Sequence, residues 1–226
     1  MPIVLRNSDS LDSYWEELVY TEARLLAAGH TSHATAIAKR IKALDALQAA
    51  QKGHWRREIV AQAHVDAVDD DLDDRVEGVA RELTYLDKGR KTSRFRQYFK
   101  GTVSAIVRLG LESQLGVVRP FVAMLAKEPE KALKDHGKAL SGIVKNGDKA
   151  VEERASAATD RAAHRARQIL SFVDDLNAAR LTLHAELTIH AAKEKLPRDY
   201  ADRFFRRPTR TAKAVTPTDP DPTPTK

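Results

Sequence analysis

An all-α chain, organised as an elongated antiparallel bundle of long helices, is predicted by three observations. From Ser32 to Asp87 the large apolar residues Ile37, Ile41, Leu44, Leu47, Trp55, Ile59, Val65, Val68, Leu72, Val76, Val79, Leu83 and Leu86 fall mostly three or four apart, and no proline interrupts them. That spacing is one stripe of a helix. A short helix, a stop and a long helix then occur twice along the chain. Between the two occurrences lies the most apolar stretch, which carries charges and so reads as a folded helical connector. The expected organisation is a first helical hairpin over 10–87, a basic-aromatic and apolar connector over 88–128 and a second hairpin over 129–206. Together they form a single elongated domain over 1–207, followed by a disordered Pro/Thr-rich tail over 208–226. A helix of about 55 residues is about 80 Å long at 1.5 Å per residue and needs a partner of similar length.

The first short helix starts at Ser10, a good N-cap, with Asp12 and Glu16 near the positive end of the helix dipole. Leu11, Trp15, Leu18, Glu22 and Leu25 define one face, and Gly29 is the stop. Thr31 or Ser32 caps the long helix, on whose Ile37 to Leu47 portion Tyr14 and Trp15 are expected to pack. Gly53 and Gly78 each cost about 1 kcal/mol against alanine, and a kink is expected near Gly53. The acid run Asp66, Asp69, Asp70, Asp71, Asp73 and Asp74 lacks the glycine turn and distal glutamate of a calcium loop. It reads as a solvated or cross-helix charged face.

The connector opens with a concentrated field. Lys88, Arg90, Lys91, Arg94, Arg96, Lys100 and Arg108 lie within 88–111 without an acidic residue, so this segment exceeds the net charge of +6 and leaves the remainder at −1. Arginines interleaved with Phe95, Tyr98 and Phe99 can neutralise phosphates and offer flat faces for stacking. Alternatively Phe95, Phe99, Val103 and Ile106 form a core stripe flanked by solvated cations. In the apolar stretch 102–126, Arg108, Glu112 and Arg119 argue against a membrane-spanning helix. Pro120 should end one helix and start another over 121–127. Pro129 should open the next helix, which Asn146-Gly147 should stop.

Asp148 then caps a second long helix extending to about Leu196. Between Val151 and Ile169 it has no large apolar residue, only alanines such as Ala155, Ala158 and Ala162, so a partner must approach closely there or leave it exposed. With Asp87 beside Asp148, facing residues would sum to about 235, given the equal rise in both helices. Asp70 would then face Arg165, and the acid run would lie against Arg161, Arg165 and Arg167. Asp70-Asp71-Leu72 with Glu82-Leu83-Thr84 echoes Asp174-Asp175-Leu176 with Glu186-Leu187-Thr188 at one offset, which also fits a duplicated unit.

For function, exclusions say more than motifs. The chain has no cysteine, which removes disulfides and thiolate chemistry and fits a reducing, cytoplasmic setting. Its first residues, MPIVLRNSDS, lack the apolar core of a secretory signal. There is no phosphate-cradling glycine loop, nucleophile elbow or His-Glu-x-x-His pair, so no catalytic residue, metal site or cofactor is assigned. Asp160 with His164, and Glu186 with His190 and Glu194, have helical i, i+4 spacing, which leaves a metal-binding bundle as a third reading. The first reading is a non-enzymatic scaffold or adaptor acting through protein contacts of its long helices, self-association included. The second is a polyanion binder, for nucleic acid or an anionic membrane surface, using Lys88, Arg90, Lys91, Arg94, Phe95, Arg96, Tyr98, Lys100, Arg203, Arg206 and Arg207. No small-molecule substrate is inferred.

Overall fold

The computed structural model describes Pro2 and residues 4–206. Arg207 and the Pro/Thr-rich tail over 208–226 lie outside the described residues, and with them the expectation about the tail. Among the described residues all regular structure is helical. The helices are α1 (Leu11–Ala27), α2 (Thr31–Leu86), α3 (Ser93–Tyr98), α4 (Val103–Val107), α5 (Leu111–Leu125), α6 (Lys131–His164) and α7 (Leu170–Lys193). A π-helical turn, Arg165–Ile169, joins α6 to α7, and a 3-10 turn, Ala201–Phe204, follows.

Local signals account for several of the ends. Ser10 caps α1, its Oγ accepting from the Ser13 N–H at 3.1 Å. Gly29, at φ +80°, stops α1 in the left-handed conformation, with the His30 N–H donating to the Leu25 carbonyl at 2.9 Å. The end of α2 uses the same device one residue off the glycine. Lys88 has φ 56°, and Gly89 donates to the Thr84 carbonyl at 3.0 Å. A left-handed lysine is disfavoured by about 1 kcal/mol, so the loop after α2 is held against local preference. At Gly53 α2 continues without interruption, and the close approach is at Gly78, where an added Cβ would lie 3.0 Å from the His136 ring.

The chain divides into two compact units, and they do not follow the predicted hairpins. A terminal unit comprises the described residues up to Leu44 together with those from Val173 onward, and a central unit comprises Asp45–Phe172. The first and last described segments therefore share one unit.

In the terminal unit α1 buries Tyr14, Leu18, Thr21 and Leu25. Trp15, expected on the same face as Leu18, is 41% exposed, and Tyr14 takes the inner position with its hydroxyl donating to the Arg6 carbonyl at 2.6 Å. On α7, Val173, Leu176, Leu183 and Leu187 are buried. Asn177 ties the N-terminal segment to the unit by exchanging hydrogen bonds with the Leu5 backbone at 2.9 and 3.0 Å. Arg180, only 3% exposed, donates to Glu17 at 2.8 Å and lies over the Phe205 ring. A buried guanidinium with a carboxylate and an aromatic face has both its charge and its flat surface matched.

The central unit has one continuous core. Leu72, Val76, Val79 and Leu83 of α2 meet Phe95, Tyr98 and Phe99 of the connector, Leu111, Leu115, Val118, Phe121 and Leu125 of α5, and Leu133, Leu140 and Val144 of α6. Three expectations about this region fail for one common reason. Helix α5 runs through Pro120 instead of breaking there. The proline lies on the exposed side, and the buried Val118 and Phe121 on either side of it keep the helix in place. Helix α6 starts at Lys131 with Glu130 as its N-cap and runs through Asn146-Gly147 instead of stopping. Gly147 is there because α5 passes so closely that an added Cβ would lie 2.9 Å from the Leu115 methyl carbons. Asp148, expected to cap a new helix, instead pairs with Arg119 of α5 at 2.7 Å.

The predicted register fails with the predicted stop. Facing pairs are Arg57 with Asp160 at 3.1 Å, Glu58 with Arg161 at 2.5 Å and His64 with Glu153 at 3.7 Å, which run in opposite senses along α2 and α6. Their numbers sum to 217 or 219 instead of about 235. The displacement, 16 to 18 positions, is about the distance from Asp148 back to Lys131, where α6 in fact begins. Arg161 therefore meets Glu58, and the acid run is not placed against Arg161, Arg165 and Arg167. Asp66, Asp70, Asp71 and Asp74 are exposed, while Asp73 accepts from the buried Gln114 amide at 2.6 Å. Burial, together with Asp73 and its neighbours in the run, pushes the Asp69 carboxyl above its ordinary range.

Among the described residues no helix is long and apolar enough to cross a membrane.

Candidate interaction surface

The basic connector is divided between inside and outside. Thr92 caps α3, its Oγ accepting from the Phe95 N–H at 3.1 Å, and thereby sets which side chains turn inward. Phe95 and Tyr98 are buried at 4% and 3% exposure, packed with Phe99 and Phe121, so their faces are occupied by protein. Arg94 also turns inward. Its guanidinium reaches Glu128 at 2.7 Å and Asp87 at 3.4 Å and pairs with Glu130, while the Tyr98 hydroxyl donates to Glu128 at 2.7 Å. The Arg94 hydrogen bond holds the Glu130 carboxyl below its ordinary value, and burial followed by the Glu128 contact pushes the Tyr98 phenol up. Lys88, Arg90, Lys91, Arg96, Lys100 and Arg108 face outward, exposed and without an ion pair among the described residues. Of the second predicted cluster, Arg207 lies outside the described residues and the other two arginines are paired. Arg203 bonds Asp199 at 2.8 Å, and Arg206 pairs with Glu16.

The alanine-rich span after Val151 becomes a surface. Where α2 passes the alanine-rich part of α6, Ala61 and Ala157 are buried in the seam at 6% and 5% exposure, and two alanines facing each other let the helices approach closely. Larger residues are displaced to the sides. Trp55 is 54% exposed, Ile59 53% and Val60 45%. One open groove of about 600 Å³ has Trp55, Glu58, Ile59 and Gln62 on its α2 wall, Val151, Arg154, Ala155, Ala158 and Arg161 on its α6 wall, and Glu112 of α5 beside them. On the opposite side a groove of about 550 Å³ is lined by Arg56, Arg57, Val60, His64 and Glu153 among others. The His54 and His164 rings stack 4.8 Å apart beside the π-helical turn. The alanine run in the sequence was the signal for this surface. Which side of α2 would be left open could not be read, because that depends on the register.

The histidines, scattered in sequence, are partly gathered in the terminal unit. His30 Nε2 lies 2.8 Å from the Tyr200 hydroxyl, its ring is 4.9 Å from that of His190 and 6.0 Å from that of His33, and Phe204 packs against it. His33 faces Glu186 at 3.6 Å. Burial, then His190 and His33, hold the His30 imidazole below its ordinary value. The unfolded chain therefore binds the proton more readily, so the contribution of neutral His30 is present above about pH 6.5 and is lost as pH falls through its folded-state value. His136, lowered by burial and Arg75 in the central unit, acts in the same direction. In urea titrations the unfolding midpoint is expected to be lower at pH 5.5 than at pH 7.5, with a smaller difference in His30→Gln. An unchanged difference in that variant would remove His30 from the account. Among the described residues no group of three or more His, Asp or Glu is placed to hold a metal ion.

Comparison with protein-family models, curated proteins and solved structures finds no match to this chain.

Proposed function

We propose that the chain is a non-enzymatic helical scaffold or adaptor whose protein contact is made on the two-helix span of α2 and α6. The observation that carries this reading is the exposure of Trp55 and Ile59 beside an α6 wall built of alanine. Apolar side chains held on rigid helices next to small residues form a surface that a partner can bury, at about 25 cal/mol per Å² of apolar area. Aromatic anchors are the common centres of such contacts. The lack of cysteine goes with a cytoplasmic setting for this role.

A second reading, binding to nucleic acid or an anionic membrane surface, is favoured by one observation. The six outward cations from Lys88 to Arg108 have no acidic residue between them. A photo-cross-linking residue at position 59, with one at exposed Lys145 as control, tests the first reading in native extract. Protein adducts specific to position 59 and little changed by salt are expected. Adducts no more abundant than at position 145 would overturn it. Capture that collapses steeply with rising salt, and is lost when Arg90, Lys91, Arg96 and Lys100 are changed to glutamine, would favour the second.

A further inference from the structure

The groove over Trp55 and Ile59 has two unlike walls. The α2 wall carries Trp55 and Ile59 with Glu58; the α6 wall carries Ala155 and Ala158 with Val151, Arg154 and Arg161, and Glu112 of α5 lines the same groove. Large groups and acid on one side match small groups and base on the other. A surface of this kind is complementary to itself when a copy is turned so that unlike walls meet.

We propose that this groove docks a second copy of the chain, with α2 of each copy lying over α6 of the other. The proposal rests on the protein-contact reading above and names its partner. A two-fold axis parallel to the helices produces this arrangement and leaves each residue at its own level along them. Since α2 and α6 pair at a sum of 217 to 219, Ile59 of one copy lies level with Ala158 of the other, and Gln62 with Ala155. Bulky side chains then enter the space left by alanines. Glu58 of each copy lies level with Arg161 of the other, so the Glu58–Arg161 pair that each chain already makes at 2.5 Å becomes half of an alternating set of four charges. The other face-to-face two-fold sets α2 on α2 and α6 on α6. It places acid wall on acid wall and base wall on base wall, and like-charge contact selects against it.

The absence of native cysteine makes the geometry directly testable, since a chain with one introduced thiol can form disulfides only between chains. Ile59→Cys and Ala158→Cys proteins, mixed under mild oxidation, should form the 59–158 dimer faster than either forms a dimer alone. They should also do so faster than Ile59→Cys mixed with Lys145→Cys. In sedimentation velocity the cysteine-free chain should shift from monomer to dimer with concentration, and Ile59→Glu should weaken the dimer at least about tenfold. Position 59 is half exposed, so circular dichroism should show Ile59→Glu to be as helical as the parent. A chain that stays monomeric overturns the proposal, and so does a dimer in which 59–158 disulfides form no faster than 59–145 disulfides. If position 59 still cross-links to proteins of other mass, the protein-contact reading survives that result. If it does not, both fall.

Discussion

Arg94→Met should destabilise the central unit by about 2–3 kcal/mol in urea unfolding, more than any other single charge change on the connector. Arg94 joins three carboxylates from two places in the sequence, Asp87 after α2 and Glu128 and Glu130 before α6. Their side chains are 12%, 14% and 31% exposed, so removing the cation leaves negative charge crowded in partly desolvated surroundings. Breaking one partner of a buried pair costs about 3–5 kcal/mol, and the value here is set lower because water reaches part of the cluster. Tyr98→Phe removes only the hydroxyl bond to Glu128 and should cost about 1 kcal/mol. Arg96→Met, exposed two residues on, should be near neutral and serves as the control. The pH dependence gives a second readout. The Glu130 carboxyl is held below its ordinary value of 4.5, so its contribution is present above that value and lost as pH falls through the folded-state value. The gap between Arg94→Met and the parent should therefore narrow in acid. An Arg94→Met protein as stable as Arg96→Met at neutral pH would mean the cluster is only decorative.

Gly137→Ala and Gly142→Ala, the same substitution on the same helix, should have opposite signs. At Gly137 an added Cβ would lie 2.9 Å from the Leu125 Cβ, an atom tied directly to the α5 backbone that cannot swing aside. Overpacking of this kind costs about 1–3 kcal/mol, against a helix-propensity gain of about 1 kcal/mol. Gly137→Val, with more to accommodate and less propensity to gain, should lose about 3 kcal/mol. At Gly142 nothing lies within 4 Å of the added atom, the residue is exposed, and alanine should gain about 0.5–1 kcal/mol. Gly147→Ala should fall between, because it meets the Leu115 methyl ends, which can rotate. Urea midpoints at constant slope would read all four. If Gly137→Ala is stabilising, α5 and α6 do not approach as closely as described.

These two sites also show where sequence reasoning stopped. Arg94 was readable as a cation on a basic segment, but two of its three carboxylates lie 34 and 36 residues away, and only folding brings them together. Phe95 and Tyr98 were readable both as stacking platforms and as a core stripe. The Thr92 cap and the Phe121 ring decide for the core. Asn146-Gly147 was a sound local stop signal, and its override moved the start of α6 by 17 residues and the whole α2–α6 register with it. The groove at Trp55 was implied by the alanines opposite, yet its position needed that register.

Legible in the residues alone are the helical character of the chain, the run of α1 from a Ser10 cap to a Gly29 stop, the single long α2 ending just before Lys88, and the little that the middle of the second long segment has to bury. Each of these depends on interactions within a few residues, which periodicity, caps and glycine report directly. Packing between distant segments is what carries α5 through Pro120 and α6 through Gly147, turns Arg94 inward while Arg96 turns out, and puts the first and last described segments in one unit. Caps and glycines act with about 1 kcal/mol and an interior proline with about 3, whereas burying Val118, Phe121, Leu125 and Leu140 is worth about 1.5–3 kcal/mol for each side chain, so the packed core overrides the local signal where the two conflict.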